Sequence, residues 1–139
     1  MDKAFTYKTK IYYEDTDAGG IVYYANYLKY FERARTEMIY SLGYDHKKLN
    51  QNDVYIVVRS CHTDYEKPVK FEEEVSVVTK LSKISPVRIN LIQSVNVNSE
   101  IRVIANVELA VIDQSGKPKK MPEDLYKSCL LYTSPSPRD

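Results

Sequence analysis

Apolar positions fall first at helical and then at strand spacing along this chain. From about Tyr23 to Leu42, the residues Tyr24, Leu28, Phe31, Ala34, Met38 and Leu42 recur three and four apart, which predicts one long helix with a single buried stripe. Arg33, Arg35 and Glu37 fall on its flanks. Gly43 stands where a left-handed residue commonly ends a helix, and a short helix or turn is expected over Asp45 to Leu49. Ahead of the helix, Thr6 to Tyr13 mixes β-branched and aromatic side chains with lysines, the composition of a strand exposed on one side. Val54 to Tyr65 is a long β-rich run. Three later runs alternate: Val75, Val77, Thr79, Leu81; then Val87, Ile89, Leu91, Val95, Val97; then Ile101, Val103, Ala105, Val107, Leu109, Val111. Their odd-numbered residues would share one buried face. The stretches Asn96-Val97-Asn98-Ser99-Glu100 and Asp113-Gln114-Ser115-Gly116 supply turn chemistry between and after them.

The expected order is therefore one strand, one long helix and four strands, with a terminal helix opened by Pro122-Glu123-Asp124-Leu125. A single long helix and an antiparallel sheet bury each other best when the sheet curls around the helix, an α+β solution. At 139 residues the chain is the size of one domain and can bury roughly two thirds of its unfolded surface. It contains no internal repeats.

Candidate chemistry concentrates between the first strand and the helix, in Tyr13-Glu14-Asp15-Thr16-Asp17-Ala18-Gly19-Gly20-Ile21-Val22-Tyr23-Tyr24. Gly19 and Gly20 allow backbone geometries closed to other residues. The helix that follows presents unpaired N–H groups at its first turn, so a carboxylate sits beside fixed positive dipoles. With its continuation Ala25-Asn26-Tyr27-Leu28-Lys29-Tyr30-Phe31-Glu32-Arg33-Ala34-Arg35-Thr36-Glu37, this segment closely resembles the signature of hotdog-fold acyl-CoA thioesterases of the 4-hydroxybenzoyl-CoA thioesterase superfamily, and within it the Tol-Pal-associated YbgC type. The resemblance rests on residues 11 to 37, continues through Val58-Arg59 and Tyr65, and is fold-level beyond.

The resemblance implies a hotdog fold, with a curled antiparallel sheet of about five strands wrapped around one long central helix. It implies that Asp17 is the catalytic carboxylate and that the backbone N–H of Tyr24 polarises the thioester oxygen. Asp15, Gly19 and Gly20 would support the turn, and Glu32 falls where some relatives carry another acid. Tyr23 and Arg59 are candidate substrate contacts, Arg59 toward the phosphates of coenzyme A, with Lys67 and Lys70 as further candidates. The YbgC-type motif usually has histidine where this chain has Tyr24. A backbone donor is indifferent to its side chain, so the change reads as tuning of rate or acyl preference.

The chemistry asks for little more. A thiol of pKa about 8.5 leaves far more readily than an amine, so one carboxylate and an oxyanion hole can suffice. Asp17 could attack the carbonyl itself or hold a water as general base, and the residues leave both routes open. Two other readings stay open: a non-catalytic acyl-CoA-binding module, and a hydroxyacyl-thioester dehydratase, which needs a histidine paired with a carboxylate in the pocket. Acyl carrier protein thioesters carry the same arm as acyl-CoA and are a second substrate class. No cofactor is implied, since coenzyme A belongs to the substrate. A homodimer or homotetramer is implied by the resemblance.

Composition narrows the rest. Lysine plus arginine (20) nearly balance aspartate plus glutamate (19), so no basic field points to nucleic acid. Tyr23, Tyr24, Tyr27, Tyr30 and Tyr40 gather about one helix without the aromatic-basic interleaving of an RNA-binding sheet, which favours packing and an acyl pocket. A calcium loop opened by Asp15 fails because Asn26 stands at its twelfth position, where a bidentate glutamate is needed, and no metal site is expected. Cys61 and His62 are adjacent on an expected strand, so they point to opposite faces and cannot pair; Cys61 reads as a small core or interface residue, and His46 as a solvated turn residue. With no signal-peptide pattern and no run of about 18 apolar residues, neither export nor membrane insertion is expected, and the cytoplasm follows by default.

The stretch Cys129-Leu130-Leu131-Tyr132-Thr133-Ser134-Pro135-Ser136-Pro137-Arg138-Asp139 reads like nothing before it and resembles the in-frame translation of a transposase-end and adapter sequence used in library preparation. On that reading one domain spans residues 1–128, its natural C-terminus is cut short, and residues 129–139 are a non-native tail.

Overall fold

The computed structural model describes residues 4–132. Strand β1 (Phe5–Lys10) leads through a 3-10 turn (Tyr13–Asp15) to the long helix α1 (Asn26–Ser41) and the short helix α2 (His46–Gln51). Strands β2 (Tyr55–Tyr65), β3 (Glu74–Ser85), β4 (Arg88–Val97) and β5 (Glu100–Ile112) follow, and helix α3 (Glu123–Leu130) closes the described chain. The five strands form one antiparallel sheet in the order β1-β3-β4-β5-β2. The expected α+β architecture is present, with two short helices added to the long one. Among the described residues no helix is long and apolar enough to cross a membrane. Residues 133–139 of the adapter-like tail lie outside the described residues, whereas Cys129 is buried within α3.

The strand alternation delivers the core. Val75, Val77 and Leu81 of β3, Ile89, Leu91, Val95 and Val97 of β4, and Val103, Ala105, Val107, Leu109 and Val111 of β5 are all buried. The run begins one pair late on β5, because Ile101 beside the Asn98-Ser99 turn is exposed. Two polar residues share the inward parity. Gln93 is fully buried, and its amide donates to the Phe31 carbonyl at 3.0 Å and to Thr79 Oγ1 at 2.9 Å. Its Oε1 accepts from Arg35 at 3.0 Å, so every polar end is matched, as burial demands.

Helix α1 buries a stripe rotated from the one its spacing suggests. Tyr27, Tyr30, Phe31, Ala34 and Met38 face the sheet, while Tyr24 and Leu28 are exposed. Tyr24 precedes the first helical residue, so the helical period does not reach it; counted from Tyr27, the spacing of three, one, three and four places Leu28 on the outer flank. Each buried side chain of this size stabilises the fold by about 1.5–3 kcal/mol. The helix ends as expected, with Gly43 at φ 90° and its N–H donating to the Tyr40 carbonyl at 3.0 Å. Asp45 caps α2 by accepting the Lys48 N–H at 2.7 Å.

Candidate active site

Thr16 and Val22 pair as an isolated antiparallel bridge, and Asp17 stands in the tight reversal between them. The Asp17 N–H donates to the Ile21 carbonyl at 2.9 Å, and its carbonyl accepts the Gly20 N–H at 3.1 Å. Its Oδ1 accepts the Gly19 N–H at 2.8 Å, which orients the exposed carboxylate while leaving lone pairs available. Gly20 adopts φ 79°, a conformation glycine takes at no steric cost. Outside the turn, Val22 N–H donates to the Val69 carbonyl at 2.8 Å and Phe71 N–H donates to the Gly20 carbonyl at 3.0 Å. The segment between β2 and β3 thus braces the Asp17 turn from behind.

Asp15 joins this turn to the helix. Its Oδ2 accepts the Tyr12 N–H at 2.9 Å, and its carbonyl accepts the Tyr23 N–H at 3.0 Å and Asn26 Nδ2 at 2.9 Å. The N–H groups of Asn26, Tyr27 and Leu28 turn back onto the carbonyls of Tyr23, Tyr24 and Ala25 at 2.8, 3.3 and 3.3 Å. Those bonds consume the donors that a helix start would otherwise present. The Tyr24 and Ala25 N–H groups are the pair left with no acceptor among the described residues. The 3-10 tightening that spares both is invisible in residue spacing, and sequence reasoning singled out Tyr24 without Ala25.

Aromatic rings wall this corner. Tyr24 meets Tyr65 of β2 edge-on at 6.1 Å between centroids, and Tyr27 meets the same ring at 5.8 Å. Tyr27 also accepts the Val69 N–H on its hydroxyl at 3.1 Å, and its pKa is raised chiefly by burial. Tyr30 is buried, and its pKa is raised by burial and then by the Asp15 carboxylate, although its hydroxyl makes no hydrogen bond of good geometry. A separate cavity of about 200 Å³ opens between α1, α2 and β2. Glu32, Arg35 and Thr36 line it beside Ile39, Ile56 and Val58. Burial pulls the Arg35 guanidinium below the ordinary arginine value, an effect opposed by the Glu32 charge.

The sequence profile of the thioesterase-like superfamily matches residues 12–128. The chain belongs to that superfamily. The acyl-CoA thioesterase YbgC of Haemophilus influenzae is 34% identical over 127 residues, covering 90% of this chain and 93% of the relative. The acyl-CoA thioester hydrolase YbgC of Escherichia coli is 31% identical over 124 residues, covering 87% and 92%. Among solved structures, a probable thioesterase from Bartonella henselae is 28% identical with a TM-score of 0.82, covering 86% of this chain and all of that one (100%). Family membership makes this chain an enzyme, a thioesterase, and its sheet curled around α1 is the hotdog architecture.

Within this thioesterase-like chain the other candidate residues are dispersed. Glu32 accepts the Thr36 hydroxyl at 2.7 Å and faces the cavity, and among the described residues no hydrogen bond joins it to the Asp17 turn. Tyr23 is exposed and packs against Tyr24 at 5.1 Å between centroids. Arg59 sits at a β2 bulge and pairs with Glu108 at 2.7 Å, holding that carboxylate below its usual range. Lys67 pairs with Glu100 at 2.7 Å, while Lys70 bridges Ile21 through the backbone and so lies beside the Asp17 turn. His62 lies 3.7 Å from Asp64, but both are exposed and neither lines the cavity. His46 and Glu32 do line it, and among the described residues no ion pair joins them.

Cys61 corrects the core half of its expected core or interface place. It pairs in register with buried Val107 and so faces the helix side, as its parity requires, yet it is exposed and not part of the core. Strand β2 is one of the two edge strands of the sheet.

Proposed function

We propose that this chain hydrolyses acyl-CoA thioesters, with Asp17 as the catalytic carboxylate and the Tyr24 N–H as the oxyanion donor. The observation that carries the reading is the pair of unsatisfied N–H groups, Tyr24 and Ala25, at the helix start to which Asp15 ties the Asp17 turn. Fixed donors placed where an oxyanion develops are worth about two to three powers of ten in rate each. Tyrosine in place of the usual histidine leaves that donor in place.

Two routes balance. Asp17 attacks the thioester carbon, the thiolate leaves and takes a proton, and water then hydrolyses the mixed anhydride. Alternatively, Asp17 takes a proton from water as the water attacks, and the tetrahedral intermediate expels the thiolate. Each releases a carboxylic acid and free coenzyme A, and the donors at Tyr24 and Ala25 serve both. The cavity beside Ile56 and Val58 suits the acyl group, and acyl carrier protein thioesters fit the same chemistry. The exposed β2 edge, with Val57 40% and Val58 50% accessible, favours a homodimer, itself able to pair into a homotetramer.

The test is free-thiol release from short, long and aromatic acyl-CoAs by the parent and by Asp17→Asn. A loss of about a thousandfold, or roughly 4 kcal/mol of transition-state stabilisation, supports the reading. Binding without release in both proteins would instead make the chain an acyl-CoA-binding module.

A further inference from the structure

We infer that Arg102, which touches neither Asp17 nor Tyr24, is a positioning residue for the catalytic turn, an inference that rests on Asp17 being the catalytic carboxylate. Between β4 and β5 the register passes from Val95 opposite Val103 to Asn96 opposite Ile101, so Arg102 is the extra residue of a β-bulge. Bulges re-aim one side chain away from the regular ladder. Here the re-aimed side chain is a guanidinium only 15% exposed, and it grips the segment joining β2 to β3.

The grip has several points. Arg102 Nη1 donates to the Pro68 carbonyl at 2.7 Å, and Nη1 and Nη2 meet the two Glu73 oxygens at 3.3 Å each. Nε donates to Glu100 at 2.6 Å. The Arg102 carbonyl also accepts the N–H groups of Glu66 at 2.8 Å and Lys67 at 3.0 Å. Glu73, held by the arginine, accepts the Lys70 N–H at 2.8 Å. The segment is thus fixed at its beginning, middle and end by one residue of β5 and its carboxylate partner.

The opposite edge of that segment is the brace of the Asp17 turn. The Val69 carbonyl takes the Val22 N–H, and the Phe71 N–H gives to the Gly20 carbonyl, at 2.8 and 3.0 Å. Gly20 in turn donates to the Asp17 carbonyl at 3.1 Å. The path from Arg102 to Asp17 therefore alternates hydrogen bonds with a peptide link: Arg102 to Glu73, Glu73 to Lys70, one residue along the chain to Phe71, Phe71 to Gly20, and Gly20 to Asp17. The segment also holds Glu72 at φ 73°, a left-handed conformation that side chains disfavour, so it needs outside contacts to keep its shape. Val103 and the other inward residues of β5 are buried in the core and take no part in this clamp.

The test compares Arg102→Met and Glu73→Gln with Arg88→Met, which removes another ion-paired arginine of the sheet, bound to Glu108 at 3.2 Å. A misplacement of about 1 Å can cost a hundredfold in rate, so Arg102→Met is expected to lower kcat by about ten- to a hundredfold with KM within about threefold and the folded state retained. Glu73→Gln should move kcat the same way, and Arg88→Met should leave it within about twofold. In an Asp17→Asn background, Arg102→Met should cost almost nothing further, because residues acting through one group are not additive. A kcat within about twofold of the parent in both clamp variants, or an undiminished loss in the Asp17→Asn background, overturns the inference. If Arg102→Met does not fold, Glu73→Gln alone decides by the same criteria. A parent-like rate in Asp17→Asn alone would instead overturn the assignment of Asp17.

Discussion

The Asp15 carbonyl accepts the N–H of Tyr23 at 3.0 Å, and that one bond decides which donors the long helix offers. It occupies the N–H just before Tyr24, while 3-10 contacts occupy the three after Ala25. Two adjacent donors remain, next to a turn whose carboxylate is oriented by Gly19. The catalytic reading depends on backbone groups, which makes it testable by substitutions that alter the backbone alone.

Tyr24→Pro removes a donor that no protein acceptor uses, so folding should survive. Proline is tolerated near helix starts for the same reason. The expected outcome is a fall in kcat of about a hundred- to a thousandfold, against a change within tenfold or so for Tyr24→Phe, which keeps the N–H. Steady-state thiol release with thermal melts of both variants makes the comparison. Equal rates would remove Tyr24 from the oxyanion site.

Gly19 and Gly20 should fail differently. A Cβ on Gly19 would lie 3.3 Å from Asp17 Oδ1, whereas one on Gly20 meets nothing within 4 Å but must adopt φ 79°. Gly20→Ala should therefore cost about 1–2 kcal/mol of stability through backbone strain. Gly19→Ala should disturb the carboxylate, lowering kcat more than stability. Urea melts paired with turnover would separate the two, and a Gly19→Ala enzyme with parental kcat would contradict the account.

The Tyr44 hydroxyl donates to Asp124 at 2.6 Å and gives stability a dependence on pH at both extremes. Burial, and then the bond to Asp124, pushes the Tyr44 phenol from 10.0 up to about 12, while that bond holds Asp124 below its ordinary 3.8. A raised pKa means that the Tyr44 contribution is complete below about pH 10 and is lost as pH rises toward 12. A depressed pKa means that the Asp124 contribution is present above about pH 3.8 and is lost as pH falls below it. Melting temperature against pH for Tyr44→Phe should be lower than the parent near neutrality and should approach it at both ends. A constant offset at every pH would show that the pair is not the cause.

Much of the fold was legible because it is written at short range. Alternation along β3, β4 and β5 marks the inward residues by parity, and by parity Gln93 belongs with its apolar neighbours. The Gly43 stop and the Asp45 cap lie within a few residues of what they terminate. The Asp-Thr-Asp-Ala-Gly-Gly stretch carries its own turn chemistry, and Asp17, Gly19 and Gly20 do form one hydrogen-bonded unit. Glu32 and Arg59 were nominated by position in a motif, and position alone could not tell that Arg59 would be bound by Glu108.

By itself the sequence determined the order of elements, the inward face of β3, β4 and β5 and the presence of a carboxylate turn ahead of a helix. Each of these follows from spacings of two, three or four residues, over which backbone geometry is nearly fixed. Only the tertiary structure decided that Tyr27 and Tyr30 are buried in place of Tyr24 and Leu28, that Tyr24 and Ala25 keep unpaired donors, and that Arg102 braces a turn some eighty positions earlier in the chain. Those outcomes depend on which surfaces meet when the sheet curls, and nothing in the local period records where a distant segment will lie.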